Sequence, residues 1–206
     1  MAEIRAVCFD VGGVLAHVAL SWDAAMAAAA LPSGPSYAIP LETLPAFNLY
    51  QAGQLDIEAY LDEAADFLEI DSATALKVHN SILLGPTAGT LAIVEELNAH
   101  GLTTGCLSNT NTLHWGVLTD PKRYPNVVAL QVKAASQAIG FNKPAEESFR
   151  AFEAMAGAAP GEILFFEDGP ANVEAANRFG WNAVQIDPLA SQTNQIRRVL
   201  ADYSVL

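Results

Sequence analysis

Ala6-Val7-Cys8-Phe9-Asp10-Val11-Gly12-Gly13-Val14-Leu15 is the stretch that decides the fold. Four apolar, mostly β-prone residues lead to a single acid, and two glycines break the run before a second apolar pair. A short continuous apolar run closed by glycine is the pattern of a buried strand. The strand delivers Asp10 to its end, where a carboxylate is expensive to bury unless something pairs with it. The rest of the chain is therefore read for what could pair with Asp10.

After this strand about seventy residues look helical. Ser21 is a candidate cap for a helix over Trp22–Leu31, with Asp23 in its first turn. Pro32-Ser33-Gly34-Pro35 is a break, and Glu42–Gln51 reads as a second helix. Asp56 caps Ile57–Leu68, whose Ile57, Tyr60, Leu61, Ala64 and Leu68 recur at helical spacing. Asp71 or Ser72 opens a fourth helix running to about Leu83. Gly85-Pro86 marks a change of pattern to alternating helix and strand. Helices are expected over Thr87–His100, Asn111–Leu118, Pro144–Met155, Ala171–Phe179 and Gln192–Tyr203. Strands are expected over Leu102–Leu107, Val127–Leu130, Ile163–Phe166 and Ala183–Ile186. Alternation of this kind predicts an α/β fold with a parallel sheet covered on both faces. The expected division is a Rossmann-like core from residues 1–15 and 85–206, with a small α-helical bundle, 16–84, inserted after the first strand.

Ligands of such sheets bind beyond the carboxyl ends of the strands, and polar clusters fall there. The first strand ends in Asp10, the second in Ser108-Asn109-Thr110-Asn111, and a later one in Glu167-Asp168. Asn142-Lys143-Pro144 opens a helix. One nucleophilic carboxylate, hydroxyl and amide donors, a lysine and two further acids fit phosphoryl transfer, which needs little covalent work and much charge stabilisation. Asp10 would attack phosphorus and form an acyl phosphate. Mg²⁺, which favours carboxylate oxygens and water, would be held by Asp10, Glu167 and Asp168. Lys143 would add a fixed positive charge, and Ser108 would donate to phosphoryl oxygens, as would the helix start near Pro144. Each cluster alone also has a plain structural reading, as turn, cap or surface lysine; their order is what points to chemistry.

Acids outnumber Lys and Arg 23 to 10, giving a net charge of −13. That argues against nucleic acid or an anionic membrane as the main partner, but not against a small anionic substrate beside local cations. Cys8 and Cys106 lie in apolar runs without metal-ligand spacing and read as buried free thiols. The segment Met1-Ala2-Glu3-Ile4-Arg5 shows no signal-peptide pattern, so a cytoplasmic protein is expected. Nothing requires an oligomer; a monomer or a homodimer built on the alanine-rich helix is expected.

In this order the motifs resemble those of the haloacid dehalogenase superfamily, in its phosphatase branch with a helical cap. Phe9-Asp10-Val11-Gly12-Gly13-Val14-Leu15 is similar to the first family motif, Cys106-Leu107-Ser108-Asn109 to the second, Lys143-Pro144 to the third, and Phe165 to Val173 to the fourth. The resemblance implies Asp10 as nucleophile and metal ligand, and the main-chain carbonyl of Gly12 with Glu167 and Asp168 as further Mg²⁺ ligands. It implies Ser108, Asn109 and Lys143 as the phosphoryl-binding groups, Lys143 with a catalytic role, and Asn172 as a buttress of the acid loop. A cap that opens for substrate and closes over it is expected as well.

The departure is Gly12, where phosphatases of the family usually carry a second Asp as general acid and base. Such a group is worth roughly 10²–10⁴-fold in rate. Three readings follow: a substrate with a good leaving group, such as a sugar 1-phosphate; a substitute acid, with His17 or a cap side chain as candidates; or a weakly active or idle binding protein. A 2-haloacid dehalogenase is a further alternative, although the retained Glu167 and Asp168 are best explained by a metal. Phosphonate hydrolysis through a cap lysine would have only Lys77 to use. His114, Trp22 and Tyr50 are expected to pack rather than to bind.

Overall fold

The computed structural model describes residues 3–206; the first two residues of the N-terminal segment lie outside the described residues. Five strands form one parallel sheet: β1 (Ala6–Phe9), β4 (Thr103–Ser108), β5 (Val132–Ala135), β6 (Ile163–Glu167) and β7 (Asn182–Gln185). Their spatial order is β5-β4-β1-β6-β7, so β1 is central and the chain builds outward first on one side and then on the other. Two further strands, β2 (Ala16–Val18) and β3 (Leu83–Pro86), pair antiparallel as a separate ribbon. The chain leaves the sheet region and returns to it along this ribbon, which the sequence reading did not anticipate.

Alternate residues of β1 point to opposite faces of the sheet, and both faces are covered. Val7 and Phe9 pack with Ile93, Val94 and Leu97 of α5 (Thr90–Ala99) and with Ile196 and Leu200 of α11 (Gln192–Asp202). Ala6 and Cys8 pack with Phe149 and Phe152 of α9 (Glu146–Ala156) and with Ala175 and Ala176 of α10 (Pro170–Arg178). Gly105 of β4 makes room for that second layer: a Cβ there would stand 2.7 Å from the Phe152 ring. Both cysteines are buried free thiols, as expected. No described helix is long and apolar enough to cross a membrane.

Between β2 and β3 lie α1 (Trp22–Ala28), α2 (Pro45–Gln51), α3 (Ile57–Leu68) and α4 (Ser72–Asn80). They share an apolar core of their own, including Trp22, Phe47, Tyr50, Tyr60, Leu68 and Val78. Asp56 and Asp71 cap α3 and α4 as the sequence predicts, accepting from the backbone N–H of Ala59 and Thr74. Ser21 does not cap α1; its hydroxyl turns to the Asp23 carboxylate instead. The helix expected over Glu42–Gln51 is split into a 3₁₀ turn, Leu41–Thr43, and α2, because Pro45 has no N–H to continue the first turn and favours the start of a new one.

The remaining helices are α6 (Thr112–Leu118), α7 (Pro125–Val128) and α8 (Ser136–Ile139). Here the sequence reading of Val127–Leu130 as a strand is corrected. Pro125 starts a helical turn, which puts Val127 and Leu130 into the core, and the sheet is joined by Val132–Ala135 instead. The helix expected from Pro144 begins at Glu146, with two acids in its first turn.

Candidate active site

The carboxyl ends of β1, β4 and β6 bring the predicted polar clusters to one cleft. Asp10 follows β1, and its N–H donates to the Phe166 carbonyl across the ladder at 2.8 Å. Lys143 arrives on the loop before α9 and is 4% exposed. Its Nζ lies 2.9 Å from Asp10 Oδ1 and 2.5 Å from Glu167 Oε2. The other oxygen of Glu167 accepts from the Gly169 N–H at 2.9 Å, which braces the acid loop. Asn172 lines the cleft with its side chain beside Gly169 of the same loop.

Asp10, Glu167 and Asp168 each present one carboxylate oxygen within 4.8 Å of the others. Burial, with the neighbouring Glu167 charge, pushes Asp10 up to about 8 and Asp168 up to about 7, despite the opposing pull of Lys143. Burial alone would lower the Lys143 ammonium; the Asp10 and Glu167 charges overcome it and raise Lys143 instead. Three carboxylates against one ammonium leave an excess of negative charge in a buried site. A divalent cation would relieve it, and oxygen-rich, compact ligand sets of this kind suit Mg²⁺.

The two glycines after Asp10 have different duties. Gly13 adopts φ +71°, and a Cβ on it would fall 2.3 Å from Asp168 Oδ2. Only glycine lets Asp168 reach its place. Gly12 lines the cleft with open space around it: a Cβ there would meet the Val18 methyls at 3.6 and 3.7 Å. Nothing steric forbids a side chain at the position where the second Asp is missing. His17, a candidate substitute, is exposed; its neighbour Val18 is the residue of β2 that lines the cleft. His17 is not among the residues that line the cleft, so it does not take the place of the missing acid.

Ser108, the last residue of β4, is buried and lines the cleft. Asn109 is there too, but its side chain is occupied. Its Oδ1 accepts from the Lys143 N–H at 2.7 Å and its Nδ2 donates to the Lys143 carbonyl at 3.0 Å. The side-chain amide thus clamps the main chain that carries the lysine, a positioning duty.

The inserted helices form the facing wall and are bonded to the sheet side. Gln51 Nε2 donates to the Asn109 carbonyl at 3.2 Å, and the Ser136 hydroxyl donates to the Gln51 carbonyl at 2.6 Å. Tyr50 and Thr112 hydroxyls are 2.8 Å apart. His79 and His114 stack with ring centroids 4.0 Å apart. His114 Nε2 donates to the His79 carbonyl at 2.9 Å, which leaves Nδ1 to accept from Asn111. His79 then donates through Nε2 to Asn111 and accepts from the Tyr60 hydroxyl at 2.8 Å. Both rings are neutral and fully engaged; burial lowers both pKa values, that of His114 to about 4. Trp22 and Tyr50 are buried among apolar neighbours, as expected, whereas His114, also buried, lines the cleft. The sequence reading missed Gln51, Ser136 and the clamp by Asn109, for which no local pattern exists.

Residues 4–180 match the haloacid dehalogenase-like hydrolase family. The chain belongs to that family. Among solved structures, this hydrolase is similar to a predicted HAD-like family hydrolase of Porphyromonas gingivalis, with 25% identity and TM-score 0.78 over 97% of this chain and 98% of that one. It is also similar to a HAD family enzyme of Bacteroides thetaiotaomicron in complex with magnesium and inorganic phosphate, with 19% identity and TM-score 0.76 over 95% and 100% of the two chains. The L-2-haloacid dehalogenase of Xanthobacter autotrophicus with chloropropionic acid covalently bound is 18% identical, with TM-score 0.66 over 99% and 85%. The last two likenesses speak for the fold alone.

Proposed function

We propose that this hydrolase is a Mg²⁺-dependent phosphatase that cleaves a small phosphomonoester through an aspartyl-phosphate on Asp10. The observation that carries the reading is the buried cluster in which Lys143 bridges Asp10 and Glu167 with Asp168 beside them. A dehalogenase needs no such trio of acids. The Bacteroides thetaiotaomicron relative in complex with magnesium and inorganic phosphate supports the same reading.

Asp10, Glu167 and Asp168, with the Gly12 carbonyl, would hold the ion, which when bound draws charge from the phosphoryl oxygens. The Asp10 carboxylate oxygen not paired with Lys143 attacks phosphorus, and the bond to the leaving oxygen breaks. Lys143 and the Ser108 hydroxyl stabilise the charge on the transferring group. Gly12 supplies no proton, so the leaving oxygen departs as an anion and takes its proton from water. Water then attacks the phosphorus of phospho-Asp10, the P–O bond to Asp10 breaks, and phosphate leaves. Residues 16–84 act as the cap that covers this cleft, and 1–15 with 85–206 as the core.

The test is phosphate release from a mixed set of phosphomonoesters in Mg²⁺ or in EDTA, with Asp10→Asn as the blank. Release that needs the metal and vanishes in the variant is expected. Release that survives Asp10→Asn removes Asp10 from the reaction and overturns the reading.

A further inference from the structure

The wall that faces Asp10 across the cleft is apolar. Val18, Leu20, Leu41, Phe47, Ile82 and Leu83 contribute to it, and Leu20 stays 47% exposed at its edge. Among the polar side chains of the cleft, Thr110 Oγ1 on the sheet side is buried without a partner, whereas two nearer this wall are engaged. Gln51 donates to Asn109, and both ring nitrogens of His114 are engaged by Asn111 and the His79 carbonyl. Glu42, which is exposed, is the charged side chain of the wall. A polyol seated here would give up water around several hydroxyls and meet methyl groups in return, which lowers affinity. An apolar leaving group would lose nothing polar and would cover the wall. The cleft volume of about 360 Å³ suits a small molecule.

Chemistry at the base of the cleft narrows the class further. Where a proton donor would stand beside the leaving oxygen, Gly12 faces the Val18 methyls. His17 does not line the cleft, and the His114 nitrogens are engaged. An oxygen that must leave as an anion leaves best when it is a weak base. A phenolic oxygen has a conjugate-acid pKa of about 10; an aliphatic alkoxide resembles hydroxide, whose conjugate acid is at about 16.

We propose that the substrate is a small aryl phosphate, an ester whose leaving group is both apolar and acidic, rather than a sugar or other polyol phosphate. The proposal rests on the phosphatase reading above. It makes the six apolar residues the determinants of specificity and Gly12 the reason that leaving-group acidity matters.

Three esters of one size separate the two claims: phenyl phosphate, cyclohexyl phosphate and glucose 1-phosphate, assayed with Mg²⁺ against the Asp10→Asn blank. Cyclohexyl phosphate should bind better than glucose 1-phosphate, with KM lower by at least about tenfold. In a single turnover phenyl phosphate should phosphorylate Asp10 faster than cyclohexyl phosphate by about 100-fold or more, the scale of an absent general acid. Within a series of substituted phenyl phosphates, single-turnover rates should fall steeply as the phenol becomes more basic. Glucose 1-phosphate cleaved with kcat/KM at or above that of the other two leaves the phosphatase standing and overturns the aryl proposal. Equal single-turnover rates for phenyl and cyclohexyl phosphates, or rates flat across the phenol series, show that the leaving oxygen is protonated and also overturn it. Release from none of the esters above the blank removes the phosphatase reading, and the proposal with it.

Discussion

Gly13→Ala isolates how the backbone after β1 fixes the acid cluster. The new Cβ would stand 2.3 Å from Asp168 Oδ2, 2.6 Å from its Cγ and 3.1 Å from its Cβ. Rotation of the carboxylate alone does not relieve this, because the Asp168 Cβ is itself too close. The acid group must therefore retreat by about 1 Å, and misplacements of that size cost on the order of 10²-fold in rate. Metal–ligand distances tolerate only about 0.2 Å, so the apparent Mg²⁺ affinity should fall with the rate. At φ +71° the alanine also carries about 1–2 kcal/mol of left-handed strain, a few degrees of Tm in a chain of this size. Gly12→Ala is the control for stability: its Cβ meets Val18 at ordinary distances of 3.6 and 3.7 Å, and its unfolding free energy should stay within about 1 kcal/mol of the parent. The assay is a Mg²⁺ titration of turnover, alongside the thermal shift that Mg²⁺ gives each variant. A Gly13→Ala protein with parental Mg²⁺ affinity and turnover would refute the reasoning, since Asp168 would then not need its observed place.

Lys143→Met leaves Asp10, Glu167 and Asp168 buried without their ammonium, and breaking a buried pair in this way costs roughly 3–5 kcal/mol. A large drop in the urea midpoint at pH 7, with loss of turnover, is expected; an unchanged midpoint would show that the lysine does not hold the cluster together. The His79–His114 stack predicts acid sensitivity. The groups that face it are Tyr60, Tyr50 and Asn111, with no carboxylate among them. Both rings are neutral when folded and charge freely when unfolded. The unfolded chain therefore binds protons first, and stability falls as the pH drops from about 6.5 towards the His114 value of about 4. For His114 alone the loss by pH 4 is on the order of 3 kcal/mol. In an NMR titration of the 4 histidines, two should stay neutral at pH 5, and a normal titration near 6.5 by either His79 or His114 would count against the network.

What the sequence by itself determined was everything carried by short-range pattern. The apolar run before Asp10 read as a covered strand, and helix–strand alternation after Gly85 predicted a parallel sheet. That topology put Asp10, Ser108, Lys143, Glu167 and Asp168 on one side, because parallel strands expose their carboxyl ends together. Asp56 and Asp71 were legible as caps because a cap acts within three residues. Tertiary structure decided what depends on partners distant in the chain. Val127 was kept out of the sheet by the helical turn that Pro125 starts, and Val132–Ala135 took the place beside β4. Asn109 became a clamp because Lys143 folds back against it, 34 residues later. Gly13 mattered because Asp168 needed the volume of its missing Cβ, across a gap in sequence that no local period spans. The apolar wall of the cleft likewise exists only once β2, β3 and the inserted helices face the sheet. Hydrophobic periodicity says which residues are buried, but the packing of distant segments decides which of them surround a ligand.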